Sequence, residues 1–537
     1  LLEKSPGIFN DRNRFILEVE RRMTQFYTQP VSISPMDEFN QTLVENLHPS
    51  NWKNPQPASC YNLVVIGGGT AGLVTAAGAG LLGGKVALIE KHLLGGDCTN
   101  VGCVPSKSLI RSGRIAATVS QASDYGIRVP EGVEVDFSAV MERMRKVRSE
   151  ISSNDSAKRF TEEFGVDVFF GEAHFLSQNT IDVAGQKLRF KKAVIATGSH
   201  PTIPEIEGLE EAGYLTNETV FYLTERPERL AIIGGGYIGC ELAQTFQRLG
   251  SKVILLQRSY KLLKHSQPEV SDLIQEVFAQ EKINVVLNAE IKQISTQPGE
   301  KTLFYEVSGI EQKSTVDQII VATGRQPNIK GLNLEAVGVQ SDPKTGIIIN
   351  DYLQTTNPNI YAVGDVCMQS KFTHAADAAA RIVIQNALFS VLGIGRKKLS
   401  NLIIPSCVYT DPEVAHVGIT EAEIMAKPER VKTFYVALSD VDRACIDGQT
   451  NGFAKVHVRH GTDKILGATI VAAHAGEMIN QITLAMVGNL GLGTLGNTIY
   501  PYPTQAEVIR KAADQYRFTW LKEWVRKLTT IWLSLQR

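Results

Sequence analysis

Cys98 and Cys103 are separated by four residues in the run Gly95-Gly96-Asp97-Cys98-Thr99-Asn100-Val101-Gly102-Cys103-Val104-Pro105-Ser106-Lys107, and a helical stretch over 106–117 follows the second of them. The peptide dipoles of a helix favour negative charge at its N-terminus, so a cysteine there ionises readily and can act as a nucleophile or redox partner. A zinc site would need two further ligands at finger-like spacing. The neighbouring sequence offers none, so no structural metal is expected. The seven cysteines are otherwise scattered, too few for a secreted disulfide framework. One redox pair and several buried single thiols are expected.

Such a pair needs a supply of electrons, and two glycine fingerprints offer places for carriers. Leu63-Val64-Val65-Ile66 runs into Gly67-Gly68-Gly69-Thr70-Ala71-Gly72, and Leu230-Ala231-Ile232-Ile233 runs into Gly234-Gly235-Gly236-Tyr237-Ile238-Gly239. In each, the first glycine (Gly67, Gly234) makes the tight turn and the second (Gly69, Gly236) lets the backbone approach a pyrophosphate. The third (Gly72, Gly239) lets the helix pack on its strand, with its first N–H groups facing the phosphates. Glu90 lies 23 residues after Gly67 at the end of Val86-Ala87-Leu88-Ile89, placed to accept hydrogen bonds from a ribose diol. In the second unit Gln257 holds the matching position, with Arg258 next and Lys264 six residues further on. A missing carboxylate removes repulsion of a 2′-phosphate and two cations can pair with it, which favours NADPH over NADH.

The elements that must hold these groups follow from pattern. At roughly 150 residues per domain, a chain of 537 residues has room for three or four domains. Its 43% hydrophobic content and 45 glycines suit a large α/β protein, and a formal charge of -1 argues against a nucleic-acid or acidic-polymer partner. From Tyr61, apolar strands end in glycine clusters and helical segments follow, which predicts parallel sheets with crossover helices. Beyond Leu399, short β-rich runs such as 452–458 precede two apolar helices, which predicts an antiparallel α+β module. Residues 1–58 carry no fingerprint. They read as an arm packed on the body, with a short helix over 15–23 and a linker over 48–57.

Over 516–537 the residues Phe518, Trp520, Leu521, Trp524, Leu528, Ile531, Trp532 and Leu535 stand at helical spacing beside Arg517, Lys522, Arg526, Lys527 and Arg537. This predicts one amphipathic helix. Packing on the protein's own body is the plain expectation, and contact with a membrane surface the functional one. With no apolar run of about 18 residues and no secretory signal, a cytoplasmic protein, peripheral to a membrane at most, is expected.

Further marks are Ala196-Thr197-Gly198, Ala322-Thr323-Gly324, Tyr361-Ala362-Val363-Gly364-Asp365 and Tyr409-Thr410-Asp411-Pro412-Glu413. With the cysteine segment and both fingerprints, they make the chain from about Tyr61 to Asp514 resemble the FAD-dependent pyridine nucleotide–disulfide reductases. That family includes glutathione reductase, dihydrolipoyl dehydrogenase and mercuric reductase. The resemblance implies an α/β fold with two Rossmann-like dinucleotide-binding domains, for FAD and NADPH, plus a C-terminal α+β dimerisation domain. The implied division is an arm (1–58), the first part of the FAD domain (59–200), the NADPH domain (201–329), the second part of the FAD domain (330–399), the dimerisation domain (400–515) and the terminal helix (516–537). A homodimer is implied, each active site being completed by the partner chain.

By the same resemblance FAD is held by Gly67, Gly69, Gly72, Glu90, Gly96, Thr197 and Gly198. Asp365 meets its ribityl chain, and the helix opening at Thr373-His374-Ala375 is aimed at the flavin O2 side. Lys107 pairs with Glu241 beside the flavin N5, Tyr237 gates the nicotinamide pocket, and Gly324 belongs to the NADPH site. Cys103 becomes the thiolate stacked on the flavin and Cys98 the outer thiolate that attacks substrate.

The resemblance breaks at one place. Disulfide-reducing members supply a His-Pro segment followed by a Glu, the histidine protonating the leaving thiolate. Here the run is Ile499-Tyr500-Pro501-Tyr502-Pro503-Thr504-Gln505-Ala506-Glu507, with Glu507 kept and Tyr502 in the histidine's place. A phenol of pKa about 10 is a poor proton shuttle near neutrality, where an imidazole at about 6.5 is well matched. A soft metal ion binds thiolates directly and needs no protonated leaving thiol. Mercuric reductases carry a tyrosine at this place, and Asp442-Arg443-Ala444 with Gly452-Phe453-Ala454-Lys455 is similar to that subgroup. No cysteine follows Cys445, and no CxxC-bearing metal-binding domain precedes Tyr61. The expectation is a mercuric-reductase-like enzyme passing electrons through Cys98 and Cys103 to Hg(II), another metal ion or a small oxidant. The alternatives are a disulfide reductase of the glutathione reductase or dihydrolipoyl dehydrogenase kind, and a flavin-bearing redox sensor or membrane-associated assembly protein.

Overall fold

The computed structural model describes residues 31, 33–390, 393–521 and 523–537, so the expected helix over 15–23 and the side chain of Lys522 lie outside the described residues. The chain forms two compact units. Of the described residues, the first comprises those up to 105, 144–200 and those within 326–400, the second 106–143, 201–325 and those from 401 onward.

The first unit is built on a mixed sheet. Its parallel part runs in the order Asp167–Phe170, Val86–Glu90, Tyr61–Ile66, Gln186–Ile195 and Ile360–Ala362, and the strands Thr180–Val183 and Ala173–Ser177 extend it in antiparallel fashion. Leu63 to Ile66 and Val86 to Ile89 are buried without alternation, as strands covered on both faces should be. The helices Thr70–Leu81 and Thr373–Leu388 pack together on this sheet. They meet where Gly78 leaves room for Ile384, whose Cδ1 would lie 2.6 Å from any Cβ at that glycine.

Ahead of the first strand stands a helix absent from the sequence expectations, Glu38–Leu47, capped by Asp37, whose carboxylate accepts from the Asn40 N–H at 2.9 Å. Leu43 and Leu47 are buried beneath it. The stretch over 48–57, expected as a linker, is tied to the sheet edge instead. The Trp52 indole donates to the Val168 carbonyl (3.2 Å), and the Asn54 amide both donates to and accepts from the Phe170 backbone (2.9 and 2.8 Å). An amide that pairs with an edge strand in both directions blunts the edge against other chains.

The second unit carries a four-stranded parallel sheet in the order Asn284–Leu287, Lys252–Gln257, Arg229–Ile233 and Gln318–Val321, with the helix Tyr237–Arg248 following its glycine turn. It also holds the antiparallel ribbon Glu290–Gln297, Glu300–Val307 and Ile310–Val316. A five-stranded antiparallel sheet, order Ser406–Val408, Glu413–Gly418, Ile465–Ala472, Phe453–Arg459 and Val431–Ala437, shares a core with the helices Ala475–Val487, Leu492–Asn497 and Glu507–Phe518.

The chain end differs from expectation. In place of one helix over 516–537 there are two, Glu507–Phe518 and Glu523–Ser534. At the break the Thr519 hydroxyl donates to the Tyr516 carbonyl at 2.7 Å, and successive short turns close at Thr519, Trp520 and Leu521. A hydroxyl that captures a helical carbonyl competes with the backbone ladder, which favours stopping there. None of the described residues of Glu523–Ser534 is buried, so this helix adds nothing to the core of its own chain. Among the described residues no helix is long and apolar enough to cross a membrane.

Candidate active site

In the first unit the glycine turn makes a cradle. Gly67 takes a φ of +106°, and a Cβ on Gly72 would sit 1.8 Å from the Gly67 carbonyl oxygen, so helix and strand approach closely only because that side chain is missing. Gly69 and Gly95 form an isolated bridge, and a Cβ on Gly96 would strike the Gly69 Cα at 2.6 Å. The Glu90 carboxylate accepts from the Gly68 N–H (2.6 Å) and the His92 N–H (2.8 Å). Burial pushes its pKa up against those two donors. Close-approaching backbone beside a seated carboxylate suits the pyrophosphate and ribose of FAD.

The same unit gathers the other residues assigned to the flavin. Thr197 and Asn328 are doubly linked, the threonine hydroxyl donating to the Asn328 carbonyl (2.6 Å) and the Asn328 amide to the Thr197 carbonyl (2.9 Å). The Asn328 N–H also reaches the Gly198 carbonyl at 3.0 Å. Asp365 accepts from the Ser199 hydroxyl at 2.6 Å. The helix Thr373–Leu388 opens with the Thr373 hydroxyl 3.3 Å from the Cys103 sulfur, His374 stacked on Phe372 and Ala375 buried.

Cys98 sits in the short helix Gly96–Val101, and Cys103 begins the helix Cys103–Ser120. Cys103 is exposed and Cys98 half-buried. The Cys98 thiol is pushed well above its ordinary value, first by its hydrogen bond with Cys103 and then by burial. Two thiols that share a proton do not ionise together, so the reduced pair holds one proton between its two sulfurs. Asp155, which accepts from the Thr99 hydroxyl at 2.7 Å, adds a smaller upward push.

In the second unit the glycine turn repeats the first. Gly234 takes φ +113°, and a Cβ on Gly239 would lie 1.8 Å from the Gly234 carbonyl oxygen. A Cβ on Gly236 would meet nothing within 4 Å, and Gly324 has φ +127° with its carbonyl accepting from the Thr202 N–H at 2.9 Å. Gln257 occupies the pose of Glu90: its side-chain oxygen accepts from the Gly235 N–H at 3.0 Å. Its amide nitrogen is turned to Ser259 (2.6 Å) and the Lys261 carbonyl (3.3 Å). Arg258 and Lys264 are exposed, and among the described residues neither forms an ion pair.

Lys107 and Glu241 form an ion pair at 2.8 Å, Glu241 being buried and its other oxygen accepting from the Tyr409 N–H at 2.9 Å. The Lys107 ammonium also lies 4.6 Å from the centre of the Tyr409 ring, a cation–π contact. Burial raises the Tyr237 phenol, opposed by a hydrogen bond from Ser406. Tyr502 is 70% exposed and donates to the Asp442 carboxylate at 2.9 Å, which lifts its pKa above the ordinary phenol value. Glu507 is buried and pairs with Arg510 at 3.1 Å rather than with Tyr502.

The residues match the family known as pyridine nucleotide-disulphide oxidoreductase over 61–380, and the dimerisation domain of that family over 404–513. The chain belongs to that family. Its members use FAD and NAD(P)H, and the turns described above fit both groups. The chain is 38% identical to a mercuric reductase of Staphylococcus aureus over 453 residues, covering 84% of this chain and 82% of the relative. It is 34% identical to the dihydrolipoyl dehydrogenase of Mycoplasma pneumoniae over 466 residues, covering 86% of this chain and all of the relative (100%). Among solved structures it is similar to the HOCl-induced flavoprotein disulfide reductase RclA of Escherichia coli, at a TM-score of 0.75 and 27% identity over 84% of this chain and 99% of that one. RclA has also been solved as a Cu(II) complex, similar at a TM-score of 0.76 and 26% identity, over 85% of this chain and 100% of that one.

Several contacts in the site escaped the sequence reading, though most of the residues that make them are named in it. Thr373 beside Cys103, Asp442 beneath Tyr502 and Tyr409 over Lys107 are distant in sequence from what they touch. No local spacing signals them. Thr99 and Asp155 are likewise 56 residues apart.

Proposed function

We propose that this enzyme is an NADPH-dependent reductase that delivers electron pairs through Cys98 and Cys103 to a soft metal ion, with Hg(II) the leading acceptor. The observation that carries the choice of acceptor is the Tyr502 phenol, whose proton is held by Asp442 and whose pKa is raised. Reduction of a disulfide by NADPH consumes one proton beyond the one NADPH carries, because two thiols must be made. Reduction of a divalent soft ion to the metal by NADPH takes two electrons and releases one proton. A site with a weak acid at the shuttle position is therefore matched to the second reaction. The mercuric reductase relatives and the RclA structure with Cu(II) support the same class of acceptor.

Bound FAD would supply the two-electron relay between the nicotinamide and the Cys98–Cys103 disulfide. The chain's own residues do the rest. Gln257 leaves a 2′-phosphate unopposed, and Arg258 and Lys264 are free to pair with it. Breaking the disulfide with two electrons leaves a thiolate on Cys103, next to the Thr373 hydroxyl, and a protonated Cys98. A soft cation replaces that proton and bonds to sulfur. When the metal leaves with the electron pair, the sulfur–sulfur bond re-forms. Two copies would pair through 404–513, so that Tyr502 and Glu507 of one chain serve the cysteines of the other.

A reading as a disulfide reductase rests on the dihydrolipoyl dehydrogenase relatives. NADPH oxidation with Hg(II), Cu(II), glutathione disulfide, lipoamide, a quinone and oxygen decides between them. We expect metal-dependent turnover that is lost in Cys98→Ser. Equal or faster turnover with a disulfide would reverse the assignment. The exposed apolar face of the terminal helix, with Trp524 and Trp532 beside Arg526, Lys527 and Arg537, is suited to an anionic lipid surface.

A further inference from the structure

The residues ahead of the family match reach the redox-active loop. Arg148, on the helix Phe137–Ser152 and 1% exposed, donates from one guanidinium nitrogen to the Asn100 carbonyl (2.7 Å) and from the other to the Asn40 side-chain oxygen (2.6 Å). Asn100 lies in the last turn of Gly96–Val101, the helix that carries Cys98. Carbonyls there have no helical partner, and a cation that satisfies one also complements the helix's negative end. The Asn100 amide folds back onto the Leu94 and Gly96 carbonyls, both at 2.9 Å. Leu94 in turn donates its N–H to the Leu47 carbonyl at 3.3 Å. Asn40 is fixed by donating to the Pro35 carbonyl at 2.7 Å, and the arm is tied again by the Arg145–Asp37 ion pair and by Asn46 to Ser152 at 2.9 Å. Asn40 and Leu47 precede residue 61, where the family match begins.

We propose that the segment 37–54 is a brace for the redox-active loop and that Arg148 is the positioning residue that couples the two, holding Cys98 in register with Cys103. A loop anchored only by the glycine turn could shift at its Cys98 end. The chain Asn40–Arg148–Asn100 and the Leu47–Leu94 bond close that freedom from two sides. The proposal rests on Cys98 and Cys103 being the electron exit.

The test is made on the full chain with FAD bound, with Asn40→Leu, which removes the acceptor at similar volume, and Asn40→Asp, which keeps it. Trp52→Phe serves as a control, because it removes an arm hydrogen bond that does not lead to the loop. The cysteines are reduced with dithiothreitol, the reductant is removed, and iodoacetamide labelling of Cys98 is followed by peptide mass spectrometry alongside the melting temperature. Asn40→Leu should speed Cys98 labelling by about tenfold as the half-buried thiol is uncovered. Asn40→Asp and Trp52→Phe should stay within roughly twofold of the parent, a margin far inside the change expected from local opening. If Cys98 labels at the parent rate in Asn40→Leu, or if Trp52→Phe speeds it as much at equal loss of melting temperature, the brace is merely structural and the proposal falls. Repeating the labelling after reduction by NADPH separates the two readings, since failure of NADPH to expose Cys98 in the parent would overturn the proposed function and leave the brace test intact.

Discussion

Gln257→Glu tests the nucleotide assignment most directly. The Gln257 oxygen holds the Gly235 N–H at 3.0 Å, as the Glu90 oxygen holds the Gly68 N–H at 2.6 Å, so a glutamate can keep the turn and present its second oxygen to a ribose. A unit charge about 5 Å from a 2′-phosphate costs about 1–2 kcal/mol at an effective dielectric of roughly 40–80, and a phosphate close to its dianion nearly doubles that. With NADH the same oxygen gains a hydrogen bond worth about 1 kcal/mol. Allowing for salt screening on an exposed loop, the sum is about 3 kcal/mol, or roughly a hundredfold in the ratio of kcat/KM for NADPH to that for NADH. The substitution also loses the bonds from the amide nitrogen to Ser259 and Lys261, so the melting temperature must be followed. The assay is steady-state oxidation of each nucleotide at saturating acceptor, at low and high ionic strength, with the ratio expected to move most at low salt. A ratio unchanged at both ionic strengths, in a folded variant, would refute the placement of the 2′-phosphate.

Arg258→Ala should raise the KM for NADPH by about tenfold to a hundredfold, the worth of one charge-assisted contact, and leave NADH use nearly unchanged; equal losses for both would count against that contact. Cys103→Ser removes the largest cause of the raised Cys98 pKa, so the thiolate forms at lower pH. The iodoacetamide–pH profile of reduced Cys98 should shift downward, and an upward shift or none would show the thiol contact to be inert. Tyr502→His should raise lipoamide or glutathione-disulfide turnover more than metal-ion turnover, and an absence of gain with any disulfide would locate the exclusion elsewhere than in proton supply. Ending the chain after Leu521, at the break between the last two helices, should abolish weak, salt-sensitive binding to anionic vesicles while sparing NADPH oxidation. Vesicle binding that survives the deletion, or dimers that dissociate with it, would assign the helix Glu523–Ser534 another role.

The two nucleotide turns were legible because their physics is local. A backbone that must meet a pyrophosphate needs glycine at fixed offsets between a strand and a helix, and the clashes at Gly72 and Gly239 show the reason in atomic terms. The carboxylate-to-amide change from Glu90 to Gln257 was readable for the same cause, since both follow their turn at a set distance. The helix Glu38–Leu47 was missed although Asp37 is a good N-cap and Phe39, Leu43, Val44 and Leu47 recur at helical spacing. Proline and asparagine around it drew the reading towards a linker, and asparagine serves equally well in a pinned segment, as Asn54 does. At the chain end the apolar period runs on through Thr519 without interruption. Periodicity does not see a hydroxyl that captures a backbone carbonyl.

The nucleotides and the acceptor are met by different means, the first through backbone and the second through side chains. FAD and NAD(P)H would be gripped through N–H groups and missing Cβ atoms, a solution that leaves little to vary. In the proposed reading the acceptor would be met by Cys98 and, through the paired chain, by groups such as Tyr502, which an exposed segment can exchange without disturbing a core. The cost of such exchange falls on proton supply. With the Cys98 thiol raised beside Cys103, and the Tyr502 proton held by Asp442, both groups are reluctant acids. An acceptor that takes the Cys98 proton's place on sulfur avoids both, whereas one that must be handed a proton meets both. Selectivity between metal ion and disulfide would then rest on proton supply at the cysteine pair and at Tyr502, where the phenol is tied to Asp442.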